Sequence, residues 1–209
     1  MFRPPYREWA RSSRHFPREL LIIVAGILIA LAVDGMADRY EERKLAREAV
    51  ANMQGEIADN LGDLDGARRS YPRMLQSLEE NLAAMEMLQK GESPKAFSRR
   101  IPFSTVALTD SSLATAEAPG ALRHLDYGEA RRFADLFTVQ REYLRQQARL
   151  VDHWVATTPV GEEDLFALSG PQLAERAAEL KISLRYLSVV RSGANNLSEM
   201  YEGRLKSSR

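Results

Sequence analysis

Hydrophobic and polar positions divide this chain into two regimes. From Leu20 to Val33 no side chain is polar (LLIIVAGILIALAV); beyond it, apolar residues recur every three or four positions among charged ones. A helix apolar on every face has no side to show to water and belongs in lipid or inside a large core. As a helix this run covers about 21 Å, against about 30 Å of hydrocarbon. Length alone favours a core helix or the apolar part of a signal peptide. The flanks extend the run: between Phe16 and Ala37 the only charges are Arg18, Glu19 and Asp34, all near the ends. Arg18 can snorkel to the headgroups. Glu19 suits the positive end of the helix dipole, and Pro17 suits a first helical position. The Leu, Ile and Val residues of the run contribute about −3 to −6 kcal/mol on an insertion scale, against about +3 for one mid-span charge.

The sum predicts a membrane helix over residues 18–37, between a basic tail (1–17) and a domain (38–209). Two alternatives stand beside it: a buried core helix, and a cleaved signal, since Ala30-Leu31-Ala32 fits the small-residue cleavage pattern. Orientation rests on basic residues. Arg3, Arg7, Arg11, Arg14 and Arg18 precede the run; Arg39, Arg43, Lys44 and Arg47 follow it. The short tail resembles the basic start of a secretory signal, which places it in the cytoplasm and the domain outside. Tyr6, Trp9 and Phe16 beside the arginines suit an interfacial segment; a disordered tail is the alternative.

After the run, helical spacing persists. Val50, Met53, Ile57, Leu61, Leu64, Tyr71, Leu75, Leu78, Leu82, Met85 and Leu88 line one face of a helix over Ala37 to Lys90. The face lapses at Ala67/Arg68. Pro72 is predicted to kink or split the helix near Arg68 to Tyr71, and Gly91 to end it. Residues 91–126 read as a loop with one or two short helices. In one of these, Asp110 or Ser111 caps Ser112 to Ala118. Asp126 and Glu129 form an acidic variant of a capping box for a helix to about Ala156. Its face is Phe133, Leu136, Phe137, Tyr143, Leu144, Leu150, Val151 and Trp154, and Thr157, Thr158, Pro159 and Gly161 end it. A last helix starts near Pro171 after Ser169, with Leu173, Ala177, Leu180, Leu184, Leu187, Val190, Ala194, Leu197, Tyr201 and Leu205 on its face. No run alternates with period two for long enough to propose a sheet. The predicted fold is all-α: the membrane helix, then three long helices packed antiparallel as a bundle. The Ile57–Leu88 seam packs within one chain or, as the alternative, forms a coiled coil between chains.

Charge and chemistry narrow the function. Lys and Arg balance Asp and Glu at 29 each, which is no electrostatic footprint for nucleic acid. The absence of cysteine excludes disulfides, thiolate metal sites and cysteine nucleophiles. His15 lies in the tail, and neither His124 nor His153 has a carboxylate three residues before it. No di-iron Glu-x-x-His, zinc, phosphate-loop or nucleophile-elbow motif is present. Asp152 and His153 are adjacent on a helix and so diverge by about 100°, which leaves His153 a surface or capping role. Arg39, Glu41, Glu42, Arg43 and Lys44 form a collar, read as a solvated face of local ion pairs, with partner docking as the alternative. Gly26 and Ala30 have the small-xxx-small spacing that lets membrane helices pack closely.

The run Glu19–Leu31, followed by Asp34 and Glu41-Glu42-Arg43-Lys44, resembles an uncharacterised bacterial family of small single-span membrane proteins. Its anchors read "GILIAL" before a charged "EER/K" helix. The likeness is good over 19–66. It is looser over 110–145, where Ala121-Leu122-Arg123-His124-Leu125, Asp126-Tyr127 and the Ala130–Tyr143 helix carry it. This chain departs by having Met36-Ala37-Asp38 where members carry tryptophan and asparagine. The resemblance implies a membrane location and assigns no activity or functional residue.

The resulting expectation is a single-pass, inner-membrane, non-enzymatic interaction or scaffold module. It has no cofactor or metal; its partners are the lipid bilayer and a second copy or another membrane protein, not nucleic acid. The alternative is a small-ligand sensor with a pocket near His124, Tyr143 and Trp154. A third reading, a hydrolase without a visible motif, requires His124 or His153 to gather acidic or serine neighbours in space.

Overall fold

A computed structural model describes residues 16–94, 101–157 and 165–207, with side chains from residue 19 onward. Residues 1–15 of the basic tail, with Arg3, Arg7, Arg11, Arg14, Tyr6, Trp9 and His15, lie outside the described residues, as do Thr158, Pro159 and Gly161. Four α-helices account for most of the rest: α1 (Phe16–Gln89), α2 (Ser111–Glu117), α3 (Tyr127–Thr157) and α4 (Gly170–Lys206). Short 3-10 turns occupy Ala121–His124 and Leu165–Ala167, and there is no strand among the described residues. The fold class is therefore all-α, with a long apolar helix at the amino-terminal end.

The chain divides into two compact units, one ending at Glu48 and the other beginning at Ala49. Residues 38–45 are all exposed, and buried positions begin at Ala46, Ala49 and Met53.

In the second unit the apolar faces meet as their spacing requires. Met53, Ile57, Leu64, Tyr71, Met74 and Leu78 of α1 are fully buried with Phe133 and Phe137 of α3 and Leu187, Leu197 and Tyr201 of α4. The α1 seam is thereby covered within one chain. Met85 forms a smaller cluster with Leu165, Leu173 and Ala177. Ala67 fills the lapse between Leu64 and Tyr71 as a buried small residue.

Of the kink or split expected near Pro72, the split does not occur: α1 is helical throughout. Pro72 is exposed, and the residues on either side of it in the seam, Tyr71 and Met74, are fully buried. Packing of the opposite face holds the helix while water can solvate the carbonyl that loses its donor. Gly91 ends α1 as expected: it is left-handed (φ 77°), Gly91 N–H donates to the Leu88 carbonyl (3.0 Å) and Glu92 N–H to the Met87 carbonyl (3.0 Å).

Cross-helix bonds fix the directions. Glu129–Arg204, Gln140–Tyr201 and His153–Glu179 run in opposite senses, so α3 and α4 are antiparallel. Arg68–Asn195 and Glu86–Lys181 make α1 and α4 antiparallel as well. Asn60–Gln140 and Tyr71–Tyr143 ascend together, so α1 and α3 are parallel. The expectation of antiparallel packing is corrected for that pair. Residues 90–126 are long enough to carry the chain back along the bundle before α3 starts, which a short loop could not do.

Helices α3 and α4 approach closely at Gly193, where an added Cβ would lie 3.1 Å from Gln146 Oε1 and 3.4 Å from Tyr143 Cδ2. Gly193→Val is expected to cost about 1–3 kcal/mol by overpacking. Gly203→Ala, at a position with open space around it, is expected to add up to about 1 kcal/mol through helix propensity. Urea unfolding of the two variants measures the contrast.

Candidate functional site

The return segment, residues 101–110, has no secondary structure of its own and lies against both α1 and α3. Such backbone, once buried, needs partners from elsewhere. Side-chain amides supply them. Gln147 Nε2 donates to the Val106 carbonyl (2.8 Å), and Val106 N–H donates to Gln147 Oε1 (2.9 Å). Asn60 does the same for Thr109, donating to its carbonyl at 2.8 Å and accepting its N–H at 3.0 Å. Gln140 Nε2 adds a second bond to the Thr109 carbonyl (2.8 Å), while its Oε1 accepts the Tyr201 hydroxyl (2.6 Å). Further along, Glu56 accepts the Ser111 and Ser112 hydroxyls (2.7 and 2.9 Å) and the Ser112 N–H (3.0 Å). The short helix α2 is therefore capped by a carboxylate of α1. Asp110 makes no capping bond; it pairs instead with Arg141 at 3.2 Å.

At each long-helix terminus the caps follow the sequence in part. Asp126 Oδ2 accepts the Gly128 and Glu129 N–H groups (2.9 and 3.3 Å). Glu129 does not reach back to complete the box; it holds Arg204 Nη2 at 2.7 Å, and that guanidinium lies 4.0 Å above the Phe133 ring. At α4, Gln172 Oε1 accepts both the N–H and the hydroxyl of Ser169 (2.9 and 2.7 Å).

Behind the amides, the Tyr71 and Tyr143 hydroxyls bond each other at 2.7 Å. Burial pushes Tyr71, Tyr143 and Tyr201 above the ordinary tyrosine range, since a buried phenolate has no water to stabilise it. Their raised values in the folded state mean that the unfolded chain ionises first. The stabilisation they provide is complete below pH about 10 and is lost as pH rises above it. In an alkaline titration, these three phenols are expected to ionise together with the loss of helical circular dichroism. Their ionisation in a chain that stays fully helical would contradict the burial.

The residues proposed for a ligand pocket do not converge. Tyr143 is buried among hydrogen bonds to Tyr71 and Gln147. Trp154 stacks on Phe103 of the return segment, with ring centroids 4.8 Å apart. His124 is exposed on the 3-10 turn that precedes α3. At 1.5 Å per residue, α3 separates Trp154 from the His124 end by about 40 Å. The pocket is therefore corrected: a helix cannot bring its two ends to one ligand. His153 is half-buried and bridges helices rather than capping one. Its Nε2 donates to the Glu179 carbonyl (3.2 Å) and its ring tilts against Tyr186 at 5.5 Å.

A cleft does form between α1 and α4. Its volume is about 510 Å³, and it is lined by Asp65, Arg68, Arg69 and Pro72 from α1 and Arg191, Ser192 and Asn195 from α4. Arg68 is fixed in it: Nη1 donates to Asp65 (2.7 Å) and Ser198 (2.8 Å), and Nε to Asn195 (3.0 Å). Sequence reading met Arg68 only as a lapse in a seam, and nothing in the spacing links it to Arg191.

In the first unit, Leu20 to Val33 is bare. Its large apolar side chains are 45% to 70% exposed, and nothing lies within 4 Å of the position a Cβ would take at Gly26. Ala30 is exposed too. None of the run is buried in this chain, and this helix is long and apolar enough to cross a membrane. In the collar, Lys44 and Glu48 lie 3.9 Å apart and both are exposed, a solvated local pair. Among the described residues no group of three His, Asp or Glu side chains could hold a metal ion. Comparison of the chain with known families, with characterised proteins and with solved structures returns no match.

Proposed function

We propose that the protein is a membrane-tethered helical interaction or scaffold module without catalytic activity, held in the inner membrane by residues 18–37. The observation that carries this reading is the uncovered apolar surface from Leu20 to Val33, beside a second unit whose apolar seams are closed. Covering that surface with lipid removes the unfavourable hydration of its side chains. Gly26 and Ala30 give a second copy, or another membrane helix, a smooth face to pack on. The tail is cytoplasmic and the domain extracytoplasmic in this reading.

Membrane crosslinking of the full chain, with topology reporters fused to each end, tests it. A crosslinked homo-oligomer or partner, with the carboxy-terminal reporter active outside, is expected. A monomeric chain that captures nothing, or a mature amino terminus beginning near Asp34, would refute it.

A further inference from the structure

The structure assigns a ligand to the Arg68–Arg69–Arg191 cleft: a free, doubly charged oxyanion, of which phosphate is the simplest. Three guanidinium groups and one carboxylate line it, so its local charge is +2 (three minus one). The carboxylate, Asp65, is engaged at 2.7 Å by Arg68, which leaves the other two cations uncompensated. Arg69 and Arg191 make no ion pair or hydrogen bond among the described residues, and both are exposed. Arg68 is held in place by Asp65, Asn195 and Ser198. Those bonds use its Nε–H and both Nη1 hydrogens, so Arg68 meets a ligand through Nη2 alone, from a guanidinium already held in place, which reduces the ordering cost of binding.

Apart from Pro72, every residue that lines the cleft carries a polar or charged group. Planar guanidinium forks match the paired oxygens of a phosphoryl or carboxylate group. Ser192 and Asn195 add a hydroxyl and an amide beside them. A cleft of about 510 Å³ falls in the range of small-molecule sites, about 300–1,000 Å³. It therefore has room for a phosphate ester as well as phosphate itself. This inference is independent of the scaffold reading, because it concerns only the second unit.

The test is calorimetric titration of inorganic phosphate into the full chain in phosphatidylcholine nanodiscs at fixed ionic strength. Saturable binding is expected, weakened at least about tenfold by either Arg69→Gln or Arg191→Gln (about 1.4 kcal/mol). Arg185→Gln, an exposed arginine of α4 outside the cleft, is expected to bind like the parent. Circular dichroism should show all three variants folded, since each side chain is exposed. A second arm uses nanodiscs containing phosphatidic acid. An unchanged phosphate isotherm there assigns a free anion; a blocked one places a lipid phosphate in the same site. Absence of saturation, or equal affinity in parent and cleft variants, would overturn the assignment.

Discussion

Replacing Gln147 by Leu should destabilise the domain by about 2–5 kcal/mol. The volume is nearly kept, so cavity formation contributes little. What is lost is the only partner shown for both the N–H and the carbonyl of Val106, in a residue that is itself buried. Each buried backbone group left unpaired costs about 1–3 kcal/mol. Domains of this size hold about 5–15 kcal/mol in all, so the variant should sit near the edge of folding. Urea unfolding would give the number, and hydrogen exchange at the Val106 amide would locate it. Gln146→Leu is the comparison. Gln146 is only half-buried and donates to an exposed Glu142 at 3.3 Å, so a change within about 0.5 kcal/mol is expected. Equal effects at the two positions would show that the amide clamp carries no special stability.

The second large effect is on the membrane helix. The double change Ile27→Arg, Leu28→Arg should release the full chain from the membrane fraction. Each substitution replaces about −0.3 to −0.6 kcal/mol by about +2.5 to +3.5. Two of them exceed the whole favourable sum of the run, about −3 to −6 kcal/mol. Alkaline carbonate extraction of membranes is the measurement. The parent should stay in the pellet and the variant should leave it. A variant that stays would mean that something other than this run holds the protein there.

Much of the architecture was legible because it follows from spacing. The seam from Met53 to Met85, the end of α1 at Gly91 and the start of α4 after Ser169 are written in local residue order. The path of the chain was not, because the parallel placement of α1 and α3 depends on where residues 101–110 lie. A signal was nonetheless present. The apolar face of α3 skips from Phe137 to Tyr143 and from Leu144 to Leu150, and Gln140 and Gln147 occupy those gaps at core-facing positions. Asn60 sits likewise between Ile57 and Leu64. Amides at seam positions mark buried backbone that must be satisfied from outside its own element. The cleft was not legible, since Arg68 and Arg191 lie far apart in sequence and only the antiparallel packing of α1 and α4 brings them together.

The clamp on the return segment also sets an order of events during synthesis. Val106 leaves the ribosome before Gln147, the residue it needs 41 positions later, and Asn60 waits across 80 positions for Gln140. A nascent chain that has emitted α1 and the return segment therefore carries an uncovered seam from Met53 to Leu78, and Val106 still lacks the amide of Gln147. Contacts of such separation form late, so the second unit reaches its native state only once α4 has emerged, and until then it offers chaperones a long apolar helix to hold.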